Sequence, residues 1–168
     1  MPVTVRDATD DDLPAMVAIY NQLVRDTTVL WTDDEQTLDK RRATVAALRE
    51  RGFPVLVADA DGVVAGCASY GDFRDSIDKP GYRWTAELSI HLAEGHRGRG
   101  VGPLLLDALL EHARRRGIHV MVAGIDGDND GSVRFHARHG FVETARMPEI
   151  GFKFGRRLDL ILMQRTID

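Results

Sequence analysis

The chain is 168 residues long, with 29% charged residues, a formal net charge of −4 and one cysteine. That length fits one domain over residues 1–168, able to bury roughly two thirds of its unfolded surface, and the mild acidity argues against a nucleic-acid partner. A lone cysteine excludes an internal disulfide; with no run of 18 apolar residues and no leader pattern, the sequence implies a cytoplasmic protein without membrane contact.

Val3-Thr4-Val5-Arg6 reads as a short opening strand. Thr9 to Asp12 offers caps for an amphipathic helix with apolar Leu13, Met16, Val17, Ile19, Tyr20 and Leu23. Pro14 fits the first turn of that helix if the cap is Asp10 or Asp11, because N–H groups there need no helical partner. A loop with Thr27, Thr28 and Trp31 leads to a second helix, Thr37 to Arg51, stopped by Gly52 and Pro54. Pro54–Ala58 and Val63–Tyr70 flank Asp59-Ala60-Asp61-Gly62 as a hairpin with a glycine turn. Cys67, within the second of these strands, reads as a small buried hydrophobe rather than a nucleophile.

Gly71 to Gly81 is polar and long enough to be a site loop. Tyr82 to Leu92 follows as a central strand carrying Glu87. Pro103 to Arg116 is a strongly amphipathic helix, and the basic run Arg114-Arg115-Arg116 at its end complements the helix dipole. His119 to Ile125 is the next strand, Asn129 to His139 a helix closed by Gly140, and Phe141–Thr144 and Leu158–Met163 complete the sheet. The pattern is α/β, one mixed sheet with helices on both faces. His136 and His139 lie three apart on their helix, but no third ligand accompanies them and no metal is expected.

Between the central strand and its helix stands Arg97-Gly98-Arg99-Gly100-Val101-Gly102. Glycines at a helix N-terminus offer unpaired backbone N–H groups to an anion, and the dipole favours negative charge there. A P-loop is excluded because the last glycine precedes Pro103 rather than a Lys and a Ser or Thr. A dinucleotide fingerprint is excluded by the G-x-G-x-G spacing, the late position and the lack of a suitably placed acidic residue. What remains is R-x-x-G-x-G, the pattern of a pyrophosphate loop for acetyl-CoA, with Glu87 one strand length away as a base.

Further segments complete a family pattern: Ile19-Tyr20-Asn21, Gly52-Phe53-Pro54, Gly71-Asp72-Phe73-Arg74, Trp84-Thr85-Ala86-Glu87, and His119 through Ile125. His96 through Gly100, Asn129 with Ser132 and His136, and Gly140-Phe141 belong to it as well, and the tail Gly151-Phe152-Lys153-Phe154-Gly155-Arg156 before Leu158-Asp159-Leu160 is its most specific part. With these, nearly the whole chain resembles the GNAT acetyltransferase superfamily and, within it, the phosphinothricin and methionine sulfoximine N-acetyltransferases of free amino acids. The resemblance implies a mostly antiparallel central sheet with helices on both faces and a splayed cofactor cleft.

It also implies residue roles. Backbone groups of Ile90, His91 and Leu92 would pair with the pantetheine arm as with an added strand. Arg97, Gly98, Arg99, Gly100, Val101 and Gly102 would hold the pyrophosphate, with Pro103 removing one donor just after the glycines, and Asn129 would reach the thioester end. Arg74 would bind the substrate carboxylate through its bidentate fork. Asp75, Ser76, Glu87, Leu88 and Ser89 would shape the rest of the amino-acid pocket, and Trp31 would form an apolar wall. The tail around Lys153 and Phe154 would lie near a homodimer interface and the pocket.

A free amine must lose a proton before it attacks a thioester, and Glu87 is the candidate base, directly or through a water; an ion pair with Arg83 or Arg74 is the structural alternative. A strand N–H in a dry cleft would stabilise the developing oxyanion. His136 stands where many superfamily members carry Tyr, either as the acid for the leaving thiolate or as a residue packed on the cofactor. The expected activity is therefore acetyl transfer from acetyl-CoA to the α-amine of a small amino acid, with no metal. Two other functions fit the same loop: acetylation of peptide N-termini or other amines, and a non-catalytic acyl-CoA sensor.

Overall fold

The computed structural model describes residues 2–168. In chain order it comprises β1 (Val3–Asp7), α1 (Leu13–Asp26), α2 (Leu38–Glu50), β2 (Val55–Ala60), β3 (Val63–Asp72), β4 (Thr85–Leu92), α3 (Val101–Arg116), β5 (Val120–Asp126), α4 (Asp130–Arg138), β6 (Val142–Lys153) and β7 (Arg156–Thr166). The strands form one seven-stranded sheet in the order β1-β2-β3-β4-β5-β7-β6. Every neighbouring pair is antiparallel except β4 and β5.

Alternation along the strands sends side chains to two cores. Leu56, Ala58, Ala68, Ala86, Leu88 and Met121 meet the α3 stripe Leu105, Leu106, Leu109 and Ala113. On the other face Val55, Val57 and Cys67 meet Leu13 and Met16 of α1 and Val45 of α2. A strand buried on both faces reads as a continuous apolar run, as in Val55–Ala58. Leu105, Leu106 and Leu109 are fully buried, each contributing about 2 kcal/mol. Burial pushes the Cys67 thiol up to about 11, which leaves it an inert core residue.

Most strands run a few residues past the bounds read from the sequence, β7 for example over Arg156–Thr166, and four departures are more informative. A 3-10 turn over Asp10–Asp12 precedes α1, so the cap is Asp12 rather than Asp10 or Asp11. Its carboxylate accepts from the Thr9 N–H at 2.7 Å and from Arg6 at 2.7 Å, which holds it down at about 2. The central strand starts at Thr85, because Pro80–Tyr82 forms another 3-10 turn. Helix α3 begins at Val101, which places Pro103 third instead of first; its missing N–H still falls in the first turn, where no helical bond is lost. Finally β6 runs 12 residues, far beyond Phe141–Thr144, with register shifts between Glu143 and Ala145 and between Met147 and Gly151. Those bulges, one at Thr144 and one around Pro148 and Glu149, break the two-residue period that marks a strand. The basic run ending α3 is structural: Arg114 and Arg115 pair with Glu111 at 2.8 and 3.3 Å, and Arg116 donates to the Gly52 carbonyl at 3.0 Å.

Candidate active site

The site begins where two parallel strands part. Strand β4 pairs with β5 at only three positions, Thr85 with Val120, Ala86 with Met121 and Glu87 with Val122. Beyond Glu87, Leu88–Leu92 keeps β3 on one side, while β5 from Ala123 onward pairs with β7 alone. The facing edges are thus left with free N–H and C=O groups, the condition for accepting an extended ligand as an added strand. A cavity of about 590 Å³ occupies the gap, bounded by Ile90, His91 and Leu92 on β4. Gly98, Gly100 and Gly102 form its floor, Asn129 and His136 of α4 its far wall, and Leu23 and Val29 its rim.

The floor glycines serve different ends. Gly98 and Gly100 have φ of +71° and +82°, and no protein atom lies within 4 Å of where a Cβ would stand. Their requirement is conformational, and it turns the loop so that N–H groups ahead of α3 face outward. A Cβ on Gly102 would sit 3.3 Å from the Phe135 ring, so this glycine lets α3 and α4 approach. Val101 is buried and anchors the turn, and Arg97 lines the cavity from an exposed position. Arg99 is exposed and does not line it.

Asn129 caps α4, its side-chain oxygen accepting from the Ser132 N–H at 3.1 Å, which leaves the NH2 end for a ligand. His136 is buried, with Nδ1 2.9 Å from the Ser132 carbonyl oxygen. A carbonyl only accepts, so Nδ1 carries the hydrogen and Nε2 presents a bare lone pair. Nε2 is buried and has no protein partner. Desolvation lowers the pKa of this imidazole and keeps it neutral. His91, edge-on to Tyr20 with ring centroids 6.1 Å apart, is drawn down to about 4 by burial and by the nearby Arg41 guanidinium.

Glu87 stands at the fork itself. It is half-buried, and among the described residues it forms neither a hydrogen bond nor an ion pair; Arg74 and Arg83 instead lie over aromatic rings. Burial raises its carboxyl above the usual range, and no cation offsets this. Its Oε1 would lie 3.1 Å from a Cβ on Gly124, so a glycine in mid-strand gives the carboxylate its space. On β4, Glu87, Ser89 and His91 share the face toward α1, while Leu88 is buried toward α3.

The remaining expected substrate residues lie apart from the large cavity. Arg74 is exposed and stacks over Phe73 and Tyr82, its guanidinium 5.5 and 5.6 Å from the ring centroids. Asp75 accepts from the N–H groups of Ile77 and Asp78, and the Ser76 hydroxyl donates to Asp72 at 2.6 Å, so both shape their own loop. Trp31 packs its ring on Gly151 of β6. The sequence reading passed over Gly124, Leu23 and Val29; of these only Gly124, a glycine inside a strand, carried a local signal. Among the described residues no three His, Cys, Asp or Glu side chains converge as a metal centre requires, and no helix is long and apolar enough to cross a membrane.

Residues 16–141 match the model of the acetyltransferase (GNAT) family. The chain is 46% identical over 169 aligned positions to an L-methionine sulfoximine/L-methionine sulfone acetyltransferase of Pseudomonas paraeruginosa, covering 100% of this chain and 96% of that protein. A Salmonella typhimurium acetyltransferase structure with its cofactor acetyl-CoA superposes with a TM-score of 0.95 at 44% identity, over 100% of this chain and 95% of the other. A structure described as ribosomal-protein-alanine N-acetyltransferase from Brucella melitensis gives a TM-score of 0.93 at 43% identity, over 97% and 99%. The chain belongs to the GNAT acetyltransferase family. It is an acetyl-CoA-dependent N-acetyltransferase, and the open β4 edge, the glycine floor and the orphan His136 Nε2 fit that cosubstrate.

Proposed function

We propose that the chain acetylates the α-amine of a small free amino acid of the methionine sulfone, methionine sulfoximine or phosphinothricin type, with both substrates bound together. The observation that carries this reading is Glu87: a carboxylate with no cation, desolvated, at the fork where the cleft opens. The name of the Pseudomonas relative supports the substrate class.

When bound, acetyl-CoA supplies the thioester carbonyl that the amine attacks and the thiol that leaves. Ile90, His91 and Leu92 orient the pantetheine arm through their backbone, and Gly98 to Gly102 hold the pyrophosphate. Glu87 takes the ammonium proton, directly or through a water, and its raised pKa makes it a better acceptor than an exposed carboxylate. His136, neutral with Nδ1–H bound to Ser132, has no proton to give at Nε2; it serves as an acceptor along the cofactor wall. With a thiol pKa of about 8.5, the leaving group would depart as the thiolate and take its proton from solvent, so no residue of the chain is required as an acid. Arg74, exposed and resting on Phe73 and Tyr82, would bind the substrate carboxylate, and Trp31 would wall the acceptor side.

The chain forms a homodimer in this reading. β6 is the edge strand of the sheet and exposes Val142, Met147, Ile150 and Phe152, with Phe154 exposed in the turn after it, apolar side chains that an isolated chain would leave wet. Light scattering should give twice the 18.7 kDa chain mass; the monomer mass would refute the pairing.

Thiol release from acetyl-CoA across free amino acids, methionine sulfone, methionine sulfoximine, phosphinothricin and an alanine-ended peptide tests the substrate class. Turnover of the sulfone or sulfoximine well above that of the peptide is expected. The Brucella neighbour's description favours a second reading, acetylation of peptide N-termini, and preference for the peptide would establish it instead.

A further inference from the structure

Lys153 is 2% exposed, near the end of β6, and among the described residues it pairs with no carboxylate. Its ammonium donates to three backbone carbonyls: Val24 at 2.6 Å, Thr27 at 2.8 Å and Leu30 at 2.7 Å. The first lies in the last turn of α1, where carbonyls lack helical partners and a cation complements the dipole. The other two belong to the irregular segment between α1 and α2. A methionine would fill the same volume without desolvating a charge, so the lysine contributes three directed bonds rather than packing.

What those bonds hold is the segment that leads into Trp31. Within the tethered segment the Thr28 hydroxyl bonds to Asp126 at the end of β5, and Val29 lines the cofactor cavity. Trp31 follows directly after the last tethered carbonyl. Two residues before Lys153, and on the same side of β6, Gly151 leaves its Cβ position empty for the Trp31 ring, which would otherwise lie 2.5 Å away. One strand thus both ties the segment down and makes room for its aromatic side chain.

We propose that Lys153 is a positioning residue: by latching the carbonyls of Val24, Thr27 and Leu30 it sets the place of Trp31, and so the fit of the amino-acid substrate. The substrate part rests on the amino-acid reading above; the placement of Trp31 does not. The chain has two tryptophans, Trp31 and Trp84, so Trp84→Phe leaves Trp31 as the sole indole reporter.

In that background Lys153→Met should red-shift Trp31 emission and raise its acrylamide quenching about twofold or more. The KM for methionine sulfone should rise about tenfold, with kcat and the acetyl-CoA Kd within threefold, and Lys153→Arg should restore part of the loss. Unchanged Trp31 emission and quenching, whether or not the melting temperature falls, would overturn the proposal. If wild type does not turn over the sulfone, the amino-acid reading fails while Trp31 fluorescence still decides on the latch. Should Lys153→Met not fold, Lys153→Gln, which keeps two N–H donors, is read by the same fluorescence criteria.

Discussion

The two sides of the cleft are built from different materials. The cofactor side is made of backbone: an unpaired strand edge at Leu88–Leu92, two left-handed glycines, and the N-terminus of α3. The acceptor side, in the proposed function, is made of side chains that arrive from distant parts of the chain: Glu87 against Gly124, Trp31 against Gly151, and Lys153 holding the end of α1. Backbone recognition tolerates sequence change as long as the conformation survives, so it suits a cosubstrate shared across a family. Side-chain recognition can change one residue at a time, which suits the half that chooses the amine.

That contrast predicts separable defects. Arg74→Ala should raise the KM for the amino acid about thirtyfold, the loss of a charge-assisted bond of about 2 kcal/mol, while calorimetry finds the same acetyl-CoA Kd. A matching loss of cofactor affinity would erase the division between the halves. Gly100→Ala should do the reverse. Forcing alanine to φ near +82° costs about 1–2 kcal/mol and should weaken acetyl-CoA roughly tenfold, with the amine KM within twofold.

The smallest effect concerns stability. Glu87 is raised by burial, so folding favours its protonated form: stability falls as the pH rises from its unfolded to its folded pKa, and the full penalty holds above the latter. Glu87→Gln should therefore melt a few degrees higher than wild type at pH 8, with the gap closing toward pH 4, where both states carry the proton. An equal or lower melting temperature at pH 8 would mean that a partner compensates the charge.

The same contrast explains what could be read from the sequence. Backbone devices leave local marks, so the glycine loop, the strand before it and the helix after it were legible in order. The length of β6 was not, because bulges around Pro148 and Glu149 interrupt its period. Glu87 and Trp31 stood out as residue types, yet their partners lie 37 and 120 positions away at Gly124 and Gly151, and no local pattern announces such pairs. Lys153 looked like one member of a tail motif; only its three carbonyl bonds show what it does. The tautomer of His136 likewise depends on its contact to the Ser132 carbonyl, the shorter of two to that residue.

The central claim is that Glu87 acts on the amine and not on the cofactor. The direct test is the Glu87→Gln variant, with its acetyl-CoA Kd measured by calorimetry and its kcat with the preferred amino acid measured by thiol release. A kcat lower by a factor of about 100 to 1,000 with Kd unchanged is the expected result. A kcat within threefold of wild type, or a loss that follows a weaker Kd, would contradict it.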